Sequence, residues 1–211
     1  MQQAVTSHVE ISPRVYLLGV ERRAKFLPGQ TVKIGLGDSE PPRIYSICSG
    51  NQDDELKILY NIKEGGALTP HLVHLCPGDT VEVSEPCGTF IGTHDPALWI
   101  ATGTGIAPFY SMLRSGMGDN KVLVHGARFA NQFYFSNDWE NALGDHYYRY
   151  CSGEDVEVAH SGRVQQYLDG IEIPADYKVY ICGQAQMCVE VRDLLIAKGV
   201  PFGNIVVEIY F

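Results

Sequence analysis

Four short segments of this chain combine residue types able to hold phosphates and a flat aromatic ring. Ala101-Thr102-Gly103-Thr104-Gly105-Ile106-Ala107-Pro108 places a glycine-rich turn between an apolar strand and a helical stretch. Such a turn lets the backbone approach a pyrophosphate, and the N–H groups at a helix start attract its charge. Gly65-Gly66-Ala67-Leu68-Thr69 is a second glycine turn of that kind. In Arg43-Ile44-Tyr45-Ser46, strand alternation puts Arg43 and Tyr45 on one face. A cation and a ring there suit a phosphate and a planar heterocycle, or else are a surface arginine beside a barrel tyrosine. Cys182-Gly183-Gln184-Ala185-Gln186-Met187 follows a strand, at the end where open α/β sheets place ligands.

The elements that must position these residues divide into two kinds. Short strands at 15–18, 31–34, 44–47, 56–60 and 80–83 are separated by turns such as Pro28-Gly29 and Pro77-Gly78-Asp79. One helix over 68–75, with Thr69-Pro70 as cap and first-turn pair, interrupts them. That pattern predicts a small antiparallel barrel. After Pro96, strands at 97–101, 121–125, 179–182 and 205–210 alternate with helices at 106–115 and 184–198. Alternation of this sort predicts a doubly wound parallel sheet. The fold expected is therefore two-domain, an antiparallel β-barrel over 1–94 and an α/β parallel-sheet domain over 95–211.

Composition narrows the function. The chain has 211 residues and a formal charge of −9, with no continuous basic surface to meet nucleic acid. No run reaches the ~18 apolar residues of a membrane-spanning helix, and Met1 to Glu10 lacks a secretory signal pattern. The six cysteines, at 48, 76, 87, 151, 182 and 188, form no CxxC pair and suit neither zinc nor a locally held iron–sulfur cluster. The seven histidines show no ligand spacing, so no metal is expected. A reduced, cytoplasmic compartment fits these thiols.

Taken together and in this order, the four motifs resemble those of the ferredoxin–NADP reductase family over essentially the whole chain. Arg-x-Tyr-Ser is matched at 43–46, Gly-Gly-x-x-Ser/Thr at 65–69, Gly-Thr-Gly-x-Ala/Gly-Pro at 103–108 and Cys-Gly-x-x-x-Met at 182–187. Val124-His125-Gly126-Ala127-Arg128 and the ending Glu208-Ile209-Tyr210-Phe211 are similar to the bacterial subgroup with a short aromatic tail. The resemblance implies an FAD-dependent oxidoreductase that passes a hydride between NAD(P)H and flavin and exchanges electrons with a ferredoxin or flavodoxin.

The resemblance also implies roles. Arg43 would pair with the FAD pyrophosphate, Tyr45 would pack on the flavin, and Ser46 would lie near its N5. Ile44 belongs to the same segment, and Ile58 and Tyr60 would line the flavin. Gly66, Ala67, Leu68 and Thr69 would hold the pyrophosphate. Gly103, Thr104 and Gly105 would serve the nicotinamide dinucleotide, with Thr104 between the two cofactors. Cys182 would stand beside the nicotinamide, or be a plain buried cysteine. Gly183, Gln184, Ala185 and Gln186 would flank it. Tyr210 would cover the flavin face that nicotinamide must reach, with Phe211 on the adenine side, unless the two rings simply pack. Glu208 would be an acidic group near the nicotinamide, or a strand-end surface carboxylate.

NADP(H) is favoured over NAD(H) through Ala127-Arg128, Ser152 and Arg163, although Arg128 and Arg163 also read as solvated charges. Gly153 stands where relatives carry an arginine, so restoring that arginine is expected to raise the NADPH preference. Arg22, Arg23 and Lys25 form the one compact basic cluster for an acidic partner. A reductase of free flavin, ferric complexes or an oxygenase component remains open, as does a dinucleotide-binding regulatory module without turnover.

Overall fold

The computed structural model describes residues 1–37, 40–174 and 176–210, which fall into two compact units. The first comprises Met1–Gly92 together with Ala107–Gly116. Its strands are β1 (Gln2–Ser12), β2 (Val15–Glu21), β3 (Thr31–Gly35), β4 (Arg43–Ser46), β5 (Glu55–Asn61) and β6 (Thr80–Val83). They form an antiparallel sheet in the order β4-β3-β6-β1-β2-β5. A bridge between Ile47 and Ile58 joins the two edge strands into a barrel. Val32, Ile34, Ile47, Ile58, Val81 and Val83 fill its interior. Helix α1 (Thr69–Leu72) adds Leu68 and Leu72 to that core.

β1 was not expected from the sequence, where Met1 to Glu10 reads as polar. Pairing with β2 on one side and β6 on the other supplies its backbone partners, and only alternate residues such as Gln3 and Val5 are buried. In α1, Thr69 is the first helical residue and not the cap. Its hydroxyl accepts from Lys63 N–H at 2.9 Å, and Leu68 at the cap position makes no side-chain bond.

The second unit comprises Thr93–Ile106 and Met117–Phe211. Its strands are β7 (Ala97–Thr102), β8 (Lys121–Ala127), β9 (Tyr147–Cys151), β10 (His160–Ser161), β11 (Lys178–Gln184) and β12 (Ile205–Tyr210). All are parallel, in the order β10-β9-β8-β7-β11-β12. The chain therefore runs outward from β7 and then returns to β11 on its other side, so the carboxyl ends of β7 and β11 mark a topological switch. One face of the sheet carries Ile100, Val124 and Ile181, in one core cluster with the helical residue Val191, and Trp99 and Trp139 are fully buried as well.

Helix α2 (Ala107–Arg114), expected in the second half, belongs with the barrel. Its Ser111 hydroxyl donates to the Ser49 carbonyl at 2.7 Å, Phe109 meets the Phe90 ring edge-on, and Arg114 pairs with Asp53. An apolar face of Phe109 and Met112, both fully buried, explains this allegiance. Helices α3 (Ser136–Leu143), α4 (Gln165–Asp169) and α5 (Ala185–Ala197) complete the second unit.

Candidate functional site

In the barrel unit burial rises along β4 and does not alternate residue by residue. Arg43 and Ile44 are exposed, Tyr45 is half-buried, and Ser46 is buried. Among the described residues Arg43 forms no ion pair, so its guanidinium is available to an anion. Burial pushes the Tyr45 hydroxyl up to about 12, against the opposing pull of the Arg43 charge. The ring thus stays neutral at any physiological pH, and it packs edge-on against Tyr60. Beside the glycine turn, the backbone N–H groups of Ala67 and Leu68 find no acceptor among the described residues. A cation, a ring and open donors of this sort fit the pyrophosphate and ring system of a flavin dinucleotide.

Ile58 and Tyr60 are placed differently, inside the barrel core. The Tyr60 hydroxyl lies 2.8 Å from His8 Nε2, while His8 Nδ1 lies 2.8 Å from the Leu75 carbonyl. A carbonyl only accepts, so Nδ1 carries the ring proton and Tyr60 donates to Nε2.

In the parallel-sheet unit, the register of β11 and β12 sets Cys182 opposite Glu208 and Gln184 opposite Tyr210. The Cys182 thiol donates to Glu208 Oε1 at 3.8 Å and also bonds the Tyr210 side chain. Burial, then the Glu208 charge, push the thiol well above its ordinary range. It is a protonated, weakly polar group and not a thiolate nucleophile. Gly105 lies against the same place, because a Cβ there would come within 2.4 Å of the Cys182 carbonyl oxygen. No side chain other than hydrogen fits at 105, so the turn after β7 is held directly on the end of β11.

A cavity of about 600 Å³ opens in this unit. Gly103, Ala127, Arg128, Ser152, Arg163, Gln184 and Gln186 line it, together with Thr102, Gln165 and Glu190. The hydroxyl oxygen of Thr102 and Oε1 of Gln165 are buried there without partners among the described residues. Unpartnered polar atoms beside two guanidiniums fit a dinucleotide carrying both phosphates and hydroxyls. Gly153 is the departure: a Cβ on it would meet the Arg128 carbonyl oxygen at 2.4 Å and Arg128 Cγ at 2.8 Å. The Gly153 N–H already donates to that carbonyl at 2.8 Å. Arg128 itself lies over the Phe129 ring. The missing arginine is therefore built into the backbone, and a side chain cannot simply be restored.

Comparison with known proteins matches one family model to each half of the chain. A family model described as an oxidoreductase FAD-binding domain matches residues 2–91, and one described as an oxidoreductase NAD-binding domain matches 99–193. Ferredoxin–NADP reductase B of Sorangium cellulosum is 32% identical over 227 residues, covering 95% of this chain and 93% of that protein. The chain belongs to the ferredoxin–NADP reductase family. It is an oxidoreductase whose cofactors are FAD and a nicotinamide dinucleotide. A toluate 1,2-dioxygenase electron transfer component from Pseudomonas putida is 26% identical over 98% of this chain, which spans 66% of that protein's length. The fold is shared with a Neisseria gonorrhoeae ferredoxin NADP+ reductase solved with bound FAD and NADP, at a TM-score of 0.88 and 21% identity over 100% of this chain and 98% of that one.

Within this family member, Thr104 lies in a 3-10 turn over Gly103–Ile106 and is half-buried. Gly183 is the penultimate residue of β11, and its last residue, Gln184, stands at the N-cap of α5, whose first residues are Ala185 and Gln186. Phe211 lies outside the described residues. The basic cluster is largely engaged: Arg22 donates to the Asp53 and Ala24 carbonyls, and Arg23 pairs with Glu21. Sequence reasoning missed Gln165 and Glu190. Glu190 follows Gln186 by four residues, so helical spacing alone places both on one face of α5. No helix among the described residues is long and apolar enough to cross a membrane.

Proposed function

We propose that this reductase passes a hydride between NAD(P)H and its FAD and exchanges the electrons with a ferredoxin-type protein, in the cytoplasm. The meeting of Cys182, Glu208 and Tyr210 at the ends of two adjacent strands carries this reading. Arg43, with the N–H groups of Ala67 and Leu68, holds the FAD pyrophosphate. The neutral Tyr45 ring offers the flavin an uncharged surface. FAD, when bound, accepts a hydride and releases electrons singly. Cys182 supplies a small uncharged wall for the nicotinamide. Glu208 anchors the thiol hydrogen, and Tyr210, tethered to the same sulfur, is the ring that nicotinamide displaces. Arg163 and Arg128 answer the 2′-phosphate, with one guanidinium fewer than the bacterial relatives' motif, so NADH is accepted as well. The six cysteines are all free, in keeping with a reducing compartment.

One observation favours a second acceptor. Ferredoxins and flavodoxins are acidic, yet the net charge here is −9 and Arg22 and Arg23 are tied within the chain. An oxygenase component or another less acidic acceptor meets this surface better. The test is reoxidation of NADPH-reduced protein by a ferredoxin across a salt series. Fast transfer that falls as salt rises supports the ferredoxin reading. Slow, salt-insensitive transfer to every ferredoxin tried would favour the oxygenase-type acceptor.

A further inference from the structure

Two amide side chains in the wall of the second unit's cavity share one carboxylate. Gln165 opens α4, and Gln186 and Glu190 stand one turn apart on α5. Gln165 Nε2 donates to Glu190 Oε2 at 2.6 Å, and Gln186 Nε2 donates to Glu190 Oε1 at 2.8 Å. A carboxylate only accepts, so it dictates which end of each amide is turned towards it. Both NH₂ groups are thereby turned to the carboxylate, and the amide oxygens are left as acceptors. Gln165 Oε1 is buried without a partner, and the buried Thr102 hydroxyl oxygen in the same wall has none either. A buried acceptor left without a donor is costly, so this wall is arranged to receive donors from a ligand.

The rest of the cavity has the opposite chemistry. Arg128 and Arg163 line it and form no ion pair among the described residues. An anion suits that part, while a phosphate beside Glu190 would face a carboxylate and two amide oxygens. A neutral diol suits Glu190's neighbours, since each hydroxyl offers a proton to a waiting oxygen. Resting on the assignment of this cavity to the dinucleotide, we propose that Glu190 is a positioning residue that holds Gln165 and Gln186 as acceptors for a ribose diol. Both NADP(H) and NAD(H) carry such a diol, so the clamp adds affinity without choosing between them.

Calorimetric titration of the FAD-loaded full chain with NADP⁺ and with NAD⁺ tests this. Glu190→Gln and Gln165→Met should each weaken both ligands by about tenfold and by similar factors, as for loss of one or two hydrogen bonds. FAD content and melting temperature should stay at wild-type values. The double variant should bind no worse than Glu190→Gln alone, because the two residues act as a unit. Wild-type Kd values in Glu190→Gln, or losses that simply add, overturn the clamp. Arg163→Ala separates the two levels. If it weakens NADP⁺ alone while Glu190→Gln changes nothing, the cavity assignment stands and the clamp falls. If the wild-type chain binds neither dinucleotide, the assignment fails and the clamp with it.

Discussion

The barrel unit and the parallel-sheet unit gather their chemistry in different ways. In the parallel sheet every strand ends on the same edge, so residues far apart in sequence converge: Gly103, Arg128, Ser152, Arg163 and Gln186 line one cavity, and Cys182 meets Glu208 and Tyr210 across one strand pair. In the antiparallel barrel, strands turn some side chains to the surface and pack others into the interior. Arg43 is therefore presented to solvent, whereas Ile58 and Tyr60, both expected beside the flavin, are core residues. Parallel topology collects a site from strand ends; a barrel offers a strand face and the loops beside it.

The largest effect that sharpens this contrast concerns α2. Phe109→Ala should destabilise the barrel unit by roughly 3–5 kcal/mol, the cost of deleting a fully buried aromatic ring. Release of bound flavin reports on the barrel, and both tryptophans, Trp99 and Trp139, report on the other unit. Flavin release should shift to lower temperature more than the tryptophan transition does; an equal shift would assign the helix to both units. Next, Arg43→Ala should weaken FAD binding by about 2 kcal/mol, as for loss of a charged hydrogen bond. Fluorescence titration of the apoprotein measures this, and calorimetric dinucleotide affinities should be unchanged.

Within the cavity, Arg163→Ala should lower the ratio of kcat/KM for NADPH over NADH by about tenfold, through loss of a guanidinium–phosphate contact. Gly153→Arg should not raise that ratio. Its Cβ would collide with the Arg128 carbonyl and cost about 1–3 kcal/mol of stability, measurable by denaturant titration.

The smallest effect is one of pH. Fully buried His125, its Nδ1 bonded to the Tyr147 hydroxyl, has its pKa lowered from 6.5 to about 3 by burial and then by the Arg149 charge. As pH falls, the unfolded chain takes up this proton first. Stability of the parallel-sheet unit is therefore full above pH 6.5 and is lost as pH drops towards 3. The loss should be about 1 kcal/mol near pH 5.5, read from tryptophan fluorescence, and His125→Phe should remove it.

Much of this was legible in the sequence because motif and element coincide. The glycine turn after β7, the strand that ends near Cys182 and the strand over Arg43–Ser46 all lie where their patterns say. What stayed hidden depends on partners distant in the chain. β1 is mostly polar and is held as a strand by β2 and β6. α3 follows Phe135, a bulky residue at φ 61 with no side-chain cap, so no start signal announces it. α2 looks like a crossover helix, and only its contacts with Ser49, Asp53 and Phe90 assign it to the barrel. Gln165 and Glu190 stand 25 residues apart and meet only through packing of α4 on α5. The closing of position 153 depends on the Arg128 carbonyl, which no local pattern reveals.

The most direct test is anaerobic mixing of the purified, FAD-loaded chain with NADPH and, separately, NADH. Bleaching of the flavin absorbance within seconds by either nicotinamide, slowed in Cys182→Ala and Glu208→Gln but complete in both, is the expected result. A flavin that keeps its oxidised spectrum while both dinucleotides bind would contradict hydride transfer between the two cofactors.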